Sequence, residues 1–234
     1  MATVNPNSTM TNTVKSGFSP LVTSIVYPFG QLFLPNYFWQ IKILGQENLP
    51  KTGATILAPT HRSRWDSMLV PYIAGPYALG RQVRFMTSAN EMKGLQGWFV
   101  RRLGGFPVDT ANPSLSSFRY AIELLNQGEL MTVYPEGGLR YDGTLHPLKK
   151  GIARIALQAQ SGNPSQDIKI VPISIRYSQK FPKWRDSVSI VINPPLSVAE
   201  YAQKSVKAGS EALYQALTLA MQAAIDQNNL QTWN

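Results

Sequence analysis

The sequence predicts a single-domain α/β protein with a central, mostly parallel or mixed sheet flanked by helices. Short apolar runs, typical of buried strands, alternate along the chain with longer segments of helical periodicity. Polar and charged residues follow directly after two of these runs, and open α/β sheets place their sites at the carboxyl ends of strands. A length of 234 residues, 44% of them hydrophobic, suits one domain with a substantial core.

The chain divides into three parts by composition. Residues 1–16 are rich in Asn, Thr and Ser, and we expect them to form a disordered tail. Residues 17–38 are apolar and carry no charge. Residues 39–234 contain the alternating strands and helices of the folded domain.

The apolar segment at residues 17–38 is interrupted by Pro20, Pro28 and Pro35. Three prolines argue against one membrane-spanning helix. Short apolar pieces in a membrane interface, or contact with a substrate tunnel, fit the pattern. A helix packed on the core is the alternative.

Strands and helices are predicted from the apolar periodicity and from glycine and proline boundaries. The predicted strands are residues 39–44, 54–58, 82–87, 130–134, 168–177 and 187–193, with a further short strand after a Gly-rich turn at residues 104–109. The predicted helices are residues 64–73, 91–103, 114–126, 152–160 and 211–226.

Composition excludes several kinds of chemistry. The chain has no cysteine, which excludes disulfides, cysteine-ligated metals and a thiol nucleophile, and two histidines leave little for a histidine-rich metal site. We therefore expect no metal. A net charge of +9 suits nucleic acid, an anionic membrane, a phosphorylated substrate or only a solvated basic face. The polar first 15 residues and the lack of an 18-residue apolar run predict neither a signal peptide nor a transmembrane helix.

His61 and Asp66 are the candidate catalytic pair, because a histidine oriented by a carboxylate can act as a general base. On a regular helix, positions five apart are rotated by roughly 140°, so the two would not share a face. They meet only if His61 lies in a loop and Asp66 in the first helical turn. Ser63 at the N-cap with Asp66 at N3 would form a capping box and supply that break. The alternative is that Asp66 only caps the helix and His61 is an ordinary loop histidine.

A second polar cluster follows the strand predicted at residues 130–134. Glycine at two adjacent positions allows backbone N–H groups to approach an anion, and nearby cations would bind phosphate. The alternative is a glycine turn with surface charge. The candidate substrate-binding residues here are Glu136, Gly137, Gly138, Arg140 and Lys149.

Four blocks in order resemble the glycerolipid acyltransferases, typified by the 1-acylglycerol-3-phosphate acyltransferases. The first is His-Arg-Ser-Arg-Trp-Asp at residues 61–66, similar to the family's His-x4-Asp motif. The others are Gly-Phe-Pro-Val-Asp at 105–109, Tyr-Pro-Glu-Gly-Gly at 134–138 and Ile-Val-Pro-Ile at 170–173. Leu-Lys-Lys-Gly at 148–151 resembles the segment after the third block, and the likeness covers roughly residues 40–195.

The resemblance implies a glycerol-3-phosphate acyltransferase-like fold and acyl transfer to the hydroxyl of a lysophosphatidate-like acceptor in phospholipid synthesis. The donor would be an acyl-CoA or acyl-carrier-protein thioester, used as a co-substrate, with no other cofactor. His61 would be the general base and Asp66 would orient it. The implied partners are membrane lipid and, for one donor, acyl-carrier protein, with no nucleic acid. The implied location is peripheral, on the cytoplasmic side of a membrane.

The sequence departs from the family pattern at the presumed phosphate site. The second block of many members is followed by an arginine, where this chain has Thr110, and Arg140 of the third block falls one residue late. Arg101, Arg102 and Lys150 are further cations that would substitute. These departures keep open an alternative acceptor, either another lysolipid or a lipid alcohol without phosphate.

Two other classes of function remain alternatives at this point. A lipid hydrolase is disfavoured because no Gly-x-Ser-x-Gly nucleophile elbow occurs in the chain. A non-enzymatic module that binds membrane or nucleic acid agrees with the basic charge but leaves His61 and Asp66 unexplained.

Overall fold

The computed structural model describes residues 14–109 and 114–233. The strands are β1 (Gln40–Leu44), β2 (Thr55–Pro59), β3 (Val83–Ser88), β4 (Gly105–Val108), β5 (Leu130–Thr132), β6 (Lys169–Tyr177), β7 (Ser187–Ile192) and β8 (Leu196–Ser197). The α-helices are α1 (Pro20–Tyr37), α2 (Asp66–Ala74), α3 (Pro76–Leu79), α4 (Gly94–Arg102), α5 (Leu115–Asn126), α6 (Gly151–Gly162), α7 (Ala199–Ala202) and α8 (Val206–Asn229). Short 3₁₀ turns lie at Gln46–Asn48 and Ala89–Met92.

The strands form one sheet in the order β1-β7-β6-β2-β5-β3-β4, with β8 beside β6. The pairs β1–β7, β6–β2, β2–β5, β5–β3 and β3–β4 are parallel, whereas β7 and β8 run antiparallel to β6. The predicted α/β class with a mixed, mostly parallel sheet is confirmed. All five residues of β2 are buried, as expected for a strand covered on both faces.

Helices cover both faces of the sheet and make two hydrophobic cores. On one face, Ile56 and Ala58 of β2 pack in a cluster with apolar residues of α5, α6 and α8. On the other face, Leu57 packs in a cluster with α1 and α2. Successive side chains of a strand point to opposite faces, so a single buried strand contributes to both cores.

Three strand ends meet at the edge of the sheet where the candidate residues lie. Thr55 of β2 pairs in parallel with Leu130 of β5 and with Lys169 of β6. The carboxyl ends of these strands therefore lie side by side. The chain leaves that edge toward His61 after β2 and toward Glu136 after β5, while β6 ends there at Tyr177.

The apolar segment at residues 17–38 contains one continuous helix, α1, rather than short pieces. Pro28 and Pro35 lie inside it, although a proline in a helix interior costs about 3 kcal/mol. Burial of Leu34 and Phe38 in the core beside α2 offsets that cost. Among the described residues, no helix has both the length and the hydrophobicity needed to cross a membrane.

Some element boundaries differ from those predicted. The last helix begins at Val206 instead of 211, because the hydroxyl of Ser205 accepts a hydrogen bond from Ala208 N and caps it. The helix expected at 91–103 is a 3₁₀ turn followed by α4, and the strand expected at 130–134 ends at Thr132. The tail expected at residues 1–16 lies mostly outside the described residues.

Candidate active site

His61 and Asp66 contact each other at the carboxyl end of β2. His61 lies in the loop after the strand, and Asp66 is the first residue of α2, the only arrangement in which the spacing allows contact. The Nδ1 atom of His61 is 2.9 Å from Oδ2 of Asp66. A carboxylate oxygen accepts this hydrogen bond, so the proton of a neutral imidazole lies on Nδ1 and the lone pair of Nε2 is free to accept a proton.

The carboxylate of Asp66 is fully buried and is held by several donors. Its Oδ2 accepts hydrogen bonds from the backbone N–H groups of Arg62 at 2.6 Å and Ser63 at 2.8 Å. Its Oδ1 accepts one from the hydroxyl of Tyr177 at 2.6 Å. Donors on both oxygens stabilise the charged form and fix its orientation.

The predicted capping box is half formed. Asp66 bonds back to the N–H of Ser63, as the acidic member of a capping box does. The hydroxyl of Ser63 instead accepts from Trp65 N at 3.3 Å, and helix α2 begins two residues later than the prediction. The capping contact and the contact with His61 therefore occur together, because the same carboxylate accepts from Ser63 N and bonds the ring of His61.

Two tyrosines border the pair and remain neutral. The ring of His61 stacks on Tyr134, with centroids 4.0 Å apart and planes 22° apart. Burial, and then the charge of Asp66, raises the pKa of both Tyr134 and Tyr177 well above the ordinary value. Tyr177 therefore keeps its proton and continues to donate to Asp66 at every physiological pH.

Arg62 and Glu136 form a buried ion pair next to His61. The Nη1 atom of Arg62 is 3.0 and 3.2 Å from the two carboxylate oxygens of Glu136, which is 1% exposed. Arg62 also donates to the carbonyl of Thr144 at 2.9 Å, and Glu136 accepts from His146 N at 3.1 Å. The pair thus joins the loop after β2 to the loop after β5, and the Glu136 side chain points into the protein.

The glycines of the second cluster form the turn beside Glu136. Gly137 has φ +73°, and a β-carbon there would come within 2.9 Å of the side chain of Lys149. Gly137 therefore both adopts a left-handed conformation and permits close packing of Lys149. A β-carbon on Gly138 would meet open space.

The candidate cations lie around this turn or farther away. Arg140 and Lys149 are exposed, and the N–H of Arg140 donates to the carbonyl of His61 at 2.8 Å. Lys150 pairs with Glu211 at 2.9 Å, while Arg102 stacks on Trp98 at 4.0 Å from its ring centroid. Thr110 lies outside the described residues.

Over residues 14–109 and 114–233, no cluster of three or more acidic or histidine side chains suits a metal ion.

Three contacts of the site were not predicted from the sequence. They are the hydrogen bond from Tyr177 to Asp66, the stacking of Tyr134 on His61, and the ion pair of Arg62 with Glu136. Tyr177 is 111 residues from Asp66, and Arg62 is 74 residues from Glu136. No local pattern links such distant positions. The one available signal was position relative to the blocks of the resemblance: Arg62 and Tyr134 lie inside the first and third blocks, and Tyr177 lies four residues after the fourth.

The family follows from a comparison with known proteins. The acyltransferase family model matches residues 40–176, which include the His61–Asp66 loop, the turn at Glu136 and most of β6. The chain belongs to the acyltransferase family. The His61–Asp66 pair lies inside the matched region.

Individual relatives agree with this assignment. The chain is 28% identical over 180 residues to a 1-acyl-sn-glycerol-3-phosphate acyltransferase of Bacillus subtilis, covering 76% of this chain and 84% of that one. It is 33% identical over 131 residues to a glycerol-3-phosphate acyltransferase of Alteromonas mediterranea, covering 52% of this chain and 15% of that longer protein.

A solved structure shares the fold. The crystal structure of the 1-acyl-sn-glycerophosphate acyltransferase PlsC from Thermotoga maritima superposes with a TM-score of 0.69 at 18% identity. The match covers 99% of this chain and 86% of that one.

The buried pair predicts a stability test. Arg62→Leu leaves the Glu136 carboxylate buried without its partner, and we expect a loss of about 3 to 5 kcal/mol in the free energy of unfolding. Denaturant titration measures it. The double change Arg62→Leu with Glu136→Leu should recover part of the loss. As a control, Arg64→Ala breaks the exposed pair with Glu91 and should cost no more than about 1 kcal/mol. Equal losses in Arg62→Leu and Arg64→Ala would contradict a structural role for the buried pair.

Proposed function

We propose that this acyltransferase moves a fatty acyl group from a thioester to the free hydroxyl of a lysophosphatidate-like acceptor in phospholipid synthesis. The donor is an acyl-CoA or an acyl-carrier-protein thioester. The observation that carries the proposal is the buried Asp66 carboxylate bonded to Nδ1 of His61 at the edge of the sheet. The names of the relatives from Bacillus subtilis and Alteromonas mediterranea support the acceptor class.

The proposed mechanism uses His61 as the general base. Nε2 of His61 removes the proton of the acceptor hydroxyl as its oxygen attacks the thioester carbonyl. Asp66 stabilises the imidazolium that forms and keeps the ring oriented. When the tetrahedral intermediate collapses, the C–S bond breaks and the proton passes from His61 to the leaving thiolate. The ester forms without a covalent acyl-protein intermediate.

Replacement of the base is the direct test. We expect His61→Ala to lower kcat by about 10²- to 10⁴-fold, because proton transfer by a positioned base contributes that much. Asp66→Asn should also lower the rate, since an amide cannot balance the imidazolium charge. The measurement is release of free thiol with synthesis of acylated lipid. His146→Ala, at the other histidine of the chain, is the matched control and should retain activity. Near-normal acyl transfer by folded His61→Ala would refute the mechanism.

An apolar groove beside the catalytic pair suits the acyl chain. It holds about 450 Å³ of empty space, including its mouth, between α1, α2 and β3. Its lining includes Val26, Gly30, Met68, Pro71, Phe85 and Leu103. Ser67 and Met68, which directly follow Asp66, border it, so the groove reaches the first turn of the helix that carries the catalytic carboxylate.

Gly30 supplies a test of that groove. A side chain at Gly30 would enter open space, so Gly30→Phe should fill the groove without a clash. We expect kcat/KM for long-chain donors to fall at least about tenfold relative to short-chain donors. Each methylene that the filled groove can no longer hold weakens binding of the donor. A series of acyl-CoA lengths measures the ratio. Asn36→Phe, an exposed position on the same helix, is the control. An equal fall at every chain length would argue against an acyl chain in this groove.

The outer face of α1 suits peripheral contact with a membrane. Leu21, Ile25, Phe29 and Leu32 recur at helical spacing and are each at least 60% exposed. The start of α1 contacts the end of α4, where Ser19 N donates to the carbonyl of Arg102. Exposed aromatic residues of α4 therefore lie near this stripe. An apolar stripe of this kind enters a lipid interface, and the net charge of +9 favours the anionic cytoplasmic leaflet.

Vesicle binding tests this contact. The triple change Leu21→Ser, Ile25→Ser and Phe29→Ser should lower partitioning onto phosphatidylcholine–phosphatidylglycerol vesicles at least about tenfold, because each buried apolar side chain contributes about 1.5 to 3 kcal/mol. Sedimentation with the vesicles measures it. Leu219→Ser removes an equally exposed leucine from α8 and should change nothing. Unchanged binding by the triple variant would contradict docking through α1.

A further inference from the structure

A second concavity lies on the other side of the catalytic pair. It holds about 450 Å³ of empty space, including its mouth, between the end of β6, the loop at residues 141–143 and the last turns of α8. Arg62 and Tyr177 form part of its wall. Arg62 is the neighbour of His61 in sequence, and Tyr177 donates to Asp66, so the concavity adjoins the catalytic pair.

Arg176 lines this concavity, and within residues 14–109 and 114–233 no carboxylate balances its charge. Its Nη2 donates to the carbonyl of Gln231, and its guanidinium lies 4.5 Å from the ring centroid of Trp233. Its buried Nε has no hydrogen-bond partner, and no carboxylate among the described residues forms an ion pair with it. Burial also lowers the pKa of Arg176. A partly buried cation without a counter-ion is unfavourable, and a bound anion would offset that cost.

Lys180 adds a second positive charge to the same concavity. It is exposed, lies three residues beyond the end of β6 and approaches the ring of Phe181 to 5.5 Å. Among the described residues that line the concavity there is no Asp or Glu. The charge of the third cation, Arg62, is balanced by Glu136, so Arg176 and Lys180 account for the excess positive charge.

The cations expected from the family pattern are placed less favourably for this role. Arg140 does not line the concavity. The stem of Lys149 packs against Gly137, and Lys150 is paired with Glu211.

We propose that the concavity at Arg176 and Lys180 binds the phosphate monoester of a substrate. A guanidinium and an ammonium group together complement the two charges and the three terminal oxygens of a phosphate monoester. The proposal rests on the proposed acyl transfer, in which two substrates carry such a group. One is the lysophosphatidate-like acceptor, which carries a terminal phosphate. The other is an acyl-CoA donor, which carries a 3′-phosphate.

Binding without catalysis is the first arm of the test. Isothermal titration calorimetry with sn-glycerol 3-phosphate and with adenosine 3′,5′-bisphosphate reports each source separately. We expect Arg176→Gln with Lys180→Gln to weaken binding of one probe by about 10- to 100-fold, the size expected for lost charge-assisted hydrogen bonds. Lys204→Gln, an exposed lysine remote in sequence, is the matched control. Because no acyl transfer is involved, this arm is informative even if His61 is not the base.

Steady-state kinetics form the second arm. A raised KM for lysophosphatidate, with unchanged KM for the donor and unchanged use of a neutral monoacylglycerol, assigns the site to the acceptor. A raised KM for acyl-CoA, with no change for the dephospho-CoA thioester, assigns it to the donor. The single change Lys180→Gln should raise the same KM by a smaller factor. Because Lys180 is exposed, this variant should fold normally, so the test does not depend on the double variant being folded.

Several results would overturn the proposal. One is the absence of binding of either probe to the wild-type protein at millimolar concentration. Another is an equal loss of activity toward lysophosphatidate and monoacylglycerol that persists when the dephospho-CoA thioester is the donor. A third is a raised KM in Arg140→Gln together with unchanged constants in the Arg176→Gln, Lys180→Gln double variant, since that result would place the phosphate at the turn after β5.

Discussion

The buried carboxylate of Asp66 is the constraint on which the site depends. A charge with no solvent contact requires donors on both oxygens, and hydrogen bonds to charged groups are worth about 1.5 to 3 kcal/mol each. The loop after β2 bends so that its own N–H groups supply some of them, and Tyr177 at the end of β6 supplies another. The position of His61 follows from this requirement, because its ring completes the set of donors.

The parallel sheet makes such a meeting possible. Strands β2, β5 and β6 run in the same direction as neighbours, so their carboxyl ends lie at one edge. The Arg62–Glu136 pair and the Asp66–Tyr177 bond are contacts between those ends. A pair of this kind contributes little net stability relative to apolar packing, but losing one partner is costly, so it keeps the loops in one arrangement.

Two concavities of different chemistry flank the strand that leads to His61. The apolar groove lies toward β3 and the helices α1 and α2, whereas the cationic concavity lies toward β6 and α8. In the sheet order, β2 stands between β6 on one side and β5 and β3 on the other. The proposed hydrocarbon and phosphate contacts of the substrates are thereby separated across the His61–Asp66 pair. The exposed apolar stripe lies on α1, the helix that also forms one wall of the groove.

The α/β class followed from the sequence alone, because short apolar runs, such as residues 56–58 in β2 and 170–173 in β6, alternate with segments of helical periodicity. The sequence also located His61 and Asp66, since a five-residue spacing restricts the pair to one local geometry. Tertiary structure alone decided that α1 is continuous despite Pro28 and Pro35, because burial against α2 outweighs a local penalty. It also decided that Glu136 points inward to Arg62 and that Tyr177 completes the carboxylate site. Those contacts join residues far apart in the chain, and no local pattern encodes them.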